Sequence, residues 1–359
     1  MAMVYDRILS NAFENILGIN GSLNGLVANP GQVIEVKQRK KLPLDVQLRP
    51  NNEVHFYAGL TKVLTLRWKD GLCQLVAKAH PTYRTRYDKI RKSQIPVLPD
   101  IFGEYPPEPM NQFSSRYRHY IDTIGTTGID SRWLAREGFW QAWLSHRYGH
   151  GYSKGDPFII IDAQAVIGFG SRAEKDQVSI PIKNRYTGML KITMASLQGI
   201  APRLAQSTAI SKKGFGDELD LLGVTPDGDL ALIEVKSGHD AKGVYLSPFQ
   251  LGAYKDLWNA MALQGKKQLR DSVNRLIEQK IRIGLLPTTM PKIILREDFD
   301  IIPVLAVGDP NWNSDAWRRL DHIWNKPLSI LWFMPRIMNG GQLLSPGQSS
   351  TIGSGWKWI

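Results

Sequence analysis

The sequence contains very little cysteine and no long apolar run, and both absences narrow what the protein can be. Cys73 is the only cysteine among 359 residues, which excludes an intramolecular disulfide and a zinc site built from several cysteines. A reducing, cytoplasmic environment is the simplest expectation. The apolar runs are far shorter than the roughly 20 residues that a membrane-spanning helix needs. Asp6 and Arg7 interrupt the region where a signal peptide would be apolar. We therefore expect a protein with no signal peptide and no membrane partner.

Positive charge is abundant, and it is concentrated near the beginning of the chain. The formal net charge is +12, and residues 33–92 carry fourteen Lys or Arg against five acidic residues, a net +9. Such a concentration is typical of proteins that bind polyanions. A solvated basic face is one alternative, and a protein partner is another. The predicted nucleic-acid-binding residues lie in two runs, the second interleaved with tyrosines: Lys37, Arg39, Lys40, Lys41, Arg84, Arg86, Lys89, Arg91 and Lys92.

Composition divides the chain into four parts. Short apolar and alternating runs predict a basic, β-rich module over residues 1–105. Five prolines between residues 96 and 109 indicate a linker, which we place at 106–131. Residues 132–338 are predicted to form an α/β domain that includes strands at 178–182 and 189–194. Residues 339–359 are a Gly/Ser-rich tail.

The residues with the clearest chemical potential lie in a predicted hairpin, whose strands are expected in the runs 216–222 and 232–238. Its strands flank a Pro-Asp-Gly turn at 226–228, where proline presets φ and glycine accepts a positive φ. Glu234 and Lys236 are two residues apart and share one face of the second strand, and Asp220 can lie opposite them. Charges on a partly buried sheet are costly unless they are paired or bind a metal. Two carboxylates with open positions suit Mg²⁺. An exposed hairpin with a salt bridge is the alternative.

A helix is predicted directly after the hairpin, over residues 248–263. Gln250 and Tyr254 lie one turn apart in its apolar pattern. Ser247 fits the N-cap position, Pro248 the first helical residue and Gln250 the capping-box partner. The alternative is that Gln250 belongs to a functional site.

The charged residues of the hairpin resemble the motif of the PD-(D/E)XK nuclease superfamily. Asp220 corresponds to the motif aspartate, and the triplet that begins at Glu234 corresponds to (D/E)XK, although Leu219 stands where the family name has proline. The resemblance implies that Asp220, Glu234 and the carbonyl of Val235 bind Mg²⁺ or Mn²⁺. It also implies that Lys236 acts on the attacking water or the phosphate.

The following helix extends the resemblance. Gln250 and Tyr254 are similar to the Gln-x-x-x-Tyr motif of the RecB-type exonuclease branch, which implies that both side chains brace the catalytic site. In this superfamily a glutamate on the first core helix often joins the metal site. Glu137, on an apolar helix face within 132–147, is our candidate, and a structural glutamate paired with an arginine is the alternative. Glu174 is the rival candidate, in a loop-like run at 168–176.

These resemblances imply an α/β fold with a restriction-endonuclease-like mixed-sheet core and flanking helices, preceded by the β-rich basic N-terminal domain. The expected function is metal-dependent hydrolysis of phosphodiester bonds in nucleic acid, with DNA favoured and the mode of cleavage left open. A non-catalytic nucleic-acid-binding or delivery subunit is the alternative, and a small-molecule enzyme that uses the acidic pocket is a third. The expected catalytic residues are Asp220, Glu234, Lys236, Gln250 and Tyr254.

Overall fold

The structure of the protein is a computed structural model, and it has a mixed α/β architecture in two compact units. The N-terminal unit comprises Asp6–Asp156 and Ser272–Lys292, and the C-terminal unit comprises Met1–Tyr5, Pro157–Asp271 and Ile293–Ile359. The structure describes residues 3–34, 41–72, 74–79, 81, 84–85, 88–89, 102–105, 110–126, 136–205, 215–238, 240–288, 293–308, 313–325, 338–339 and 342–343.

The N-terminal unit is built on antiparallel strands covered by helices. Its helices include α1 (Asn11–Leu17), α2 (Asn24–Ala28), α3 (Met110–Thr126) and α4 (Arg136–Tyr148). A short pair joins β1 (Gln32–Ile34) to β2 (Lys41–Pro43). The main sheet has five strands in sequence order: β3 (Asp45–Arg49), β4 (Glu53–Ala58), β5 (Thr61–Lys69), β6 (Gln74–Ala79) and β7 (Gly103–Tyr105). The strands β1 to β7 lie within the part of the chain for which β structure is predicted.

The segment expected to be a linker differs from the prediction, because much of residues 106–131 is the helix α3. Phe113, Tyr117 and Tyr120 recur at helical spacing along α3 and are buried. The Tyr117 ring lies 5.4 Å from the Phe56 ring of β4. The Tyr120 hydroxyl donates to the carbonyl of Val63 at 2.8 Å. The prolines therefore precede a packed helix.

A distant segment also belongs to the N-terminal unit, which a boundary near residue 105 does not anticipate. Gln279 accepts a hydrogen bond from the backbone N–H of Leu9 at 2.8 Å and donates to Glu14 at 2.7 Å. Lys280 donates to the side-chain oxygen of Gln47 at 2.8 Å. These buried polar contacts make residues 272–292 part of the unit. Residues 1–105 alone are not a structural unit.

The C-terminal unit contains a four-stranded mixed sheet with helices around it. The sheet order is β11 (Ile301–Gly308), β10 (Leu230–Ser237), β9 (Leu219–Val224), β8 (Ile159–Ala165). β8, β9 and β10 pair antiparallel, and β10 and β11 pair parallel. The helices are α5 (Arg172–Ile200), α6 (Pro202–Ala205), α7 (Ala241–Arg282), of which residues from Ser272 onwards belong to the N-terminal unit, and α8 (Asp315–Asn325). A small pair joins β12 (Met338–Asn339) to β13 (Gln342–Leu343).

The predicted hairpin is confirmed as β9 and β10. Its turn is closed by a hydrogen bond from the N–H of Gly228 to the carbonyl of Thr225 at 2.9 Å. Gly228 has φ +82°, a value that favours glycine. The hairpin turn lies at the opposite end of the strands from Asp220 and Glu234.

The strands predicted at 178–182 and 189–194 are wrong, because both segments lie within α5. Tyr186, Leu190, Met194 and Leu197 follow helical spacing, and they form one buried cluster with α7: Tyr245, Phe249 and Ala253. Isoleucine and threonine are common in strands, but the spacing of the buried residues decides the structure here.

The beginning of α7 also differs from the prediction. Asp240 precedes the helix and accepts a hydrogen bond from the N–H of Gly243 at 2.9 Å. Ser247 therefore lies inside the helix, where its hydroxyl donates to the carbonyl of Gly243 at 2.7 Å. The capping box at Gln250 is wrong. α7 is kinked at Gly265, shortly after the end of the helix predicted over residues 248–263. No helix in the described ranges is long and apolar enough to cross a membrane.

Candidate active site

The candidate site lies where β9 and β10 stop pairing. Their backbone ladder runs from the pair Val224–Leu230 to the pair Leu221–Ile233. β10 continues beside β11 to its last residue. Beyond the ladder, a carboxylate oxygen of Asp220 accepts the backbone N–H of Val235 at 2.8 Å. The Asp220 side chain thus occupies the position that a strand partner would otherwise take.

Three charged side chains converge at this point. The ammonium nitrogen of Lys236 lies 2.6 Å from a carboxylate oxygen of Glu234 and 4.0 Å from Asp220. Glu234 is fully buried, and 7% of Lys236 is exposed. The sheet therefore brings together the three residues whose spacing predicts a common face.

Electrostatics at the site favour an additional cation. Burial raises the pKa of the Asp220 carboxyl above its usual value, although the Lys236 charge and the Val235 N–H act in the opposite direction. Two carboxylates share one ammonium within a poorly hydrated space. A divalent cation would relieve the cost of keeping both carboxylates charged.

A hydrogen-bond chain connects α7 to the strand that carries Asp220. The Tyr254 hydroxyl donates to the carbonyl of Glu218 at 2.6 Å. The Gln250 amide donates to the Tyr254 oxygen at 3.0 Å. Burial, and then the negative charge of Glu234, raise the pKa of Tyr254 well above its usual value, so the hydroxyl remains a donor. Gln250 and Tyr254 are thus linked to the backbone two residues before Asp220.

Gly243 is a residue at this site that sequence reasoning missed. A Cβ atom at Gly243 would meet the carboxylate of Asp240 and would lie 2.8 Å from Cδ of Lys236, both closer than such atoms approach in proteins. Glycine therefore lets the first turn of α7 pass against the lysine stem. The available signal is a glycine three residues after Asp240, at the start of a helix.

Asp217 is a second residue that was not predicted. It accepts hydrogen bonds from Lys183 and, at 2.8 Å, from Lys175, both on α5. Burial alone would raise the pKa of Asp217, but the two lysines lower it below the usual value. This ion pair network fixes the chain just before β9.

The carboxylates at the open end of the hairpin, the end away from its turn, are suitable ligands for Mg²⁺. Mg²⁺ is commonly held by one or two carboxylates and keeps several waters, which Asp220 and Glu234 satisfy. In a strand the N–H and C=O of one residue point to the same side, so the Val235 carbonyl lies on the side of Asp220. Within the described ranges, no three His, Cys, Asp or Glu side chains form a group that could hold a metal ion.

The two glutamates proposed as further ligands have different positions. Glu137 lies in the first turn of α4, in the N-terminal unit, whereas Asp220 and Glu234 belong to the C-terminal unit. Glu174 lies in the first turn of α5, and its backbone N–H donates to the Ser171 hydroxyl oxygen at 3.2 Å. The loop-like interpretation of 168–176 is therefore wrong from residue 172 onwards.

Few of the predicted nucleic-acid-binding residues are described. Arg84 and Lys89 are exposed. The Arg84 side chain lies 3.8 Å from Asp88, and its guanidinium is 5.3 Å from the centre of the Phe102 ring. Lys41 begins β2. The remaining six predicted residues lie outside the described ranges: Lys37, Arg39, Lys40, Arg86, Arg91 and Lys92.

Comparisons with known proteins add no relative. No family model matches the chain, and no match is found among curated proteins or solved structures. The function of the site is therefore inferred from its own residues.

Proposed function

We propose that the protein is a metal-dependent nuclease that hydrolyses phosphodiester bonds, with DNA as the favoured substrate. The observation that carries the proposal is the convergence of Asp220, Glu234 and Lys236 at the open end of a buried hairpin. A buried lysine between two carboxylates is costly to maintain. A catalytic role gives a reason for all three charges.

Asp220 and Glu234 are the residues that would hold Mg²⁺ or Mn²⁺, together with the carbonyl of Val235. When bound, the ion supplies a Lewis acid for the phosphate and lowers the pKa of a water molecule. Lys236 is an ammonium donor beside these ligands, and its role is to orient water or to stabilise negative charge on a phosphate oxygen. Tyr254 and Gln250 hold the strand of Asp220 in place.

The arrangement of the C-terminal unit supports a restriction-endonuclease-like core as part of the proposal. An antiparallel hairpin carries the charged residues, a long helix follows it, and the next strand pairs parallel to β10. This is the order of elements that the resemblance implies for residues after the hairpin.

The basic N-terminal region supports nucleic acid as the substrate class. Its net charge of +9 over residues 33–92 would attract a polyanion and would give binding that weakens as salt rises. The same chain thus combines a site proposed to act on phosphate esters with a cationic region. A nucleic acid is a substrate that suits both features.

The test is a cleavage assay on the full-length protein. Supercoiled plasmid, linear duplex, single-stranded DNA and single-stranded RNA are incubated with Mg²⁺, Mn²⁺ or EDTA. We expect cleavage of DNA with either metal, none with EDTA, and a loss of at least a hundredfold in Asp220→Asn. Asp227→Asn is the matched control, since Asp227 is an exposed carboxylate on the turn of the same hairpin. Binding without cleavage under all conditions would favour a non-catalytic subunit.

A further inference from the structure

The strand beside β9 contains a residue whose backbone is strained next to the candidate site. We infer that this residue, Gln164, supplies a third side-chain ligand to the metal ion, beside Asp220 and Glu234, through its side-chain carbonyl. The inference rests on the proposed function and extends the site to β8.

The register of the sheet places Gln164 at the position facing Asp220. Ala163 pairs with Leu221, and Ala165 pairs with Leu219. Gln164 lies between Ala163 and Ala165 on β8, and Asp220 lies between Leu219 and Leu221 on β9. Facing residues of antiparallel strands have Cβ atoms about 4.5–5.5 Å apart. A glutamine side chain is long enough to span such a distance to a shared ligand.

The backbone of Gln164 is unusual for a residue in a strand. Its φ is +51°, in the left-handed region. The other described residues with positive φ that are not glycine are Asn51 and Asn52, which form the turn between β3 and β4. Asparagine tolerates this conformation, whereas for a longer side chain within a strand the conformation is unfavourable by roughly 1–2 kcal/mol. Strain of this kind concentrates at functional sites.

The distortion of β8 is held by specific contacts. The strand also shifts register between Ile160 and Asp162. Asp162 is almost fully buried; its carboxylate accepts the Tyr5 hydroxyl at 2.8 Å and the N–H of Ala163 at 2.9 Å. The segment before Gln164 is thus fixed. Irregularities of this type redirect side chains near active sites.

The chemistry of the site favours a neutral oxygen ligand at this position. Asp220 and Glu234 already bring two negative charges, and a third carboxylate would increase their repulsion in the protein without a bound ion. Side-chain amide oxygens bind hard divalent cations alongside carboxylates. Gln164 is half-buried, and its carboxamide makes no hydrogen bond to another described residue. Its oxygen is therefore available to an ion.

The test measures Mn²⁺ affinity of the full-length protein in the absence of nucleic acid, from the free-Mn²⁺ signal in electron paramagnetic resonance. We expect Gln164→Ala to weaken Mn²⁺ binding by about tenfold, because a ligand is lost. Gln164→Glu should tighten binding by a similar factor, because affinity rises with ligand charge. Gln177→Ala, at an exposed glutamine of α5, should change nothing.

Gln164→Gly separates a ligand role from a purely structural role. Glycine relieves the positive φ, so this variant should have a higher melting temperature than wild type. If Gln164 is a ligand, the same variant should also bind Mn²⁺ as weakly as Gln164→Ala does. Mn²⁺ affinity within twofold of wild type in both Gln164→Ala and Gln164→Glu would overturn the inference.

Asp220→Asn separates the ligand role of Gln164 from the proposed function. If it abolishes Mn²⁺ binding while the Gln164 variants bind normally, only the ligand role of Gln164 fails. If Asp220→Asn binds Mn²⁺ and cleaves like wild type, the proposed function itself fails.

Discussion

Replacing Tyr254 by phenylalanine removes the oxygen atom that links α7 to the strand of Asp220. Tyr254 is 2% exposed, and its hydroxyl donates to the carbonyl of Glu218 at 2.6 Å and accepts from Gln250 at 3.0 Å. A variant that loses a buried partner leaves polar groups unsatisfied, at a cost of about 1–3 kcal/mol. Because the hydroxyl anchors the chain two residues before Asp220, we expect the loss to appear in the β9–β10 hairpin.

Hydrogen exchange measures this loss locally. A decrease of 1–3 kcal/mol corresponds to an increase of about 5- to 150-fold in the opening of the affected segment. Peptides that cover β9 and β10 should exchange faster in Tyr254→Phe, and peptides from β4 and β5 of the N-terminal unit should be unchanged. Unchanged exchange in β9 would refute the role of the hydroxyl as a brace.

Gln250 tests whether the brace works as a chain. Gln250 donates to the Tyr254 oxygen, so Gln250→Ala and Tyr254→Phe should be non-additive, with a coupling of about 0.5–3 kcal/mol. Gln250→Glu replaces the donor with an acceptor, and the single Tyr254 proton then has two acceptors to serve. We expect that variant to lose protection in β9 and to cleave DNA less well. Additive effects within about 0.5 kcal/mol would show that the two side chains act separately.

Three further predictions concern Gly243, His55 and Arg84. Gly243→Ala should lower cleavage by displacing Lys236, while Gly188→Ala, in open space on α5, should raise stability by about 0.5–1 kcal/mol; a fully active Gly243→Ala would contradict the first. Burial lowers the pKa of His55 to about 4, because the folded protein favours the neutral imidazole. The contribution of this neutral side chain to the unfolding free energy is complete above pH 6.5 and is lost as the pH falls towards 4. Wild type should therefore lose more unfolding free energy than His55→Gln over this fall in pH; parallel pH profiles would refute this. Arg84→Gln should lower the salt dependence of DNA binding by about one unit of slope if Arg84 contacts phosphate.

The hairpin and its charged face could be predicted because their signals are local. Alternation along a strand assigns Glu234 and Lys236 to one face, and a Pro-Asp-Gly turn sets the register that brings Asp220 beside them. The pairing of Gln250 with Tyr254 likewise follows from one helical turn. These relations depend on spacing alone, and the structure reproduces them.

Other features depend on distant contacts and could not be predicted. The capping-box pattern at Ser247 is locally plausible, but Asp240 begins the helix earlier. Residues 272–292 join the N-terminal unit through Gln279 and Lys280, which no local pattern indicates. The positive φ of Gln164 lies within a strand, and glutamine carries no preference for it that a sequence pattern could show.

The most direct test of the central claim is metal binding by the folded protein. We predict that Mg²⁺ or Mn²⁺ raises the melting temperature of wild type, by an amount equivalent to about 2.7 kcal/mol at a hundred times the dissociation constant. Asp220→Asn and Glu234→Gln keep the shape of the side chains and should show no such rise, although both variants should be folded without metal. The same metal-dependent rise in Asp220→Asn and Glu234→Gln as in wild type would contradict the assignment of these two carboxylates as the metal-binding residues.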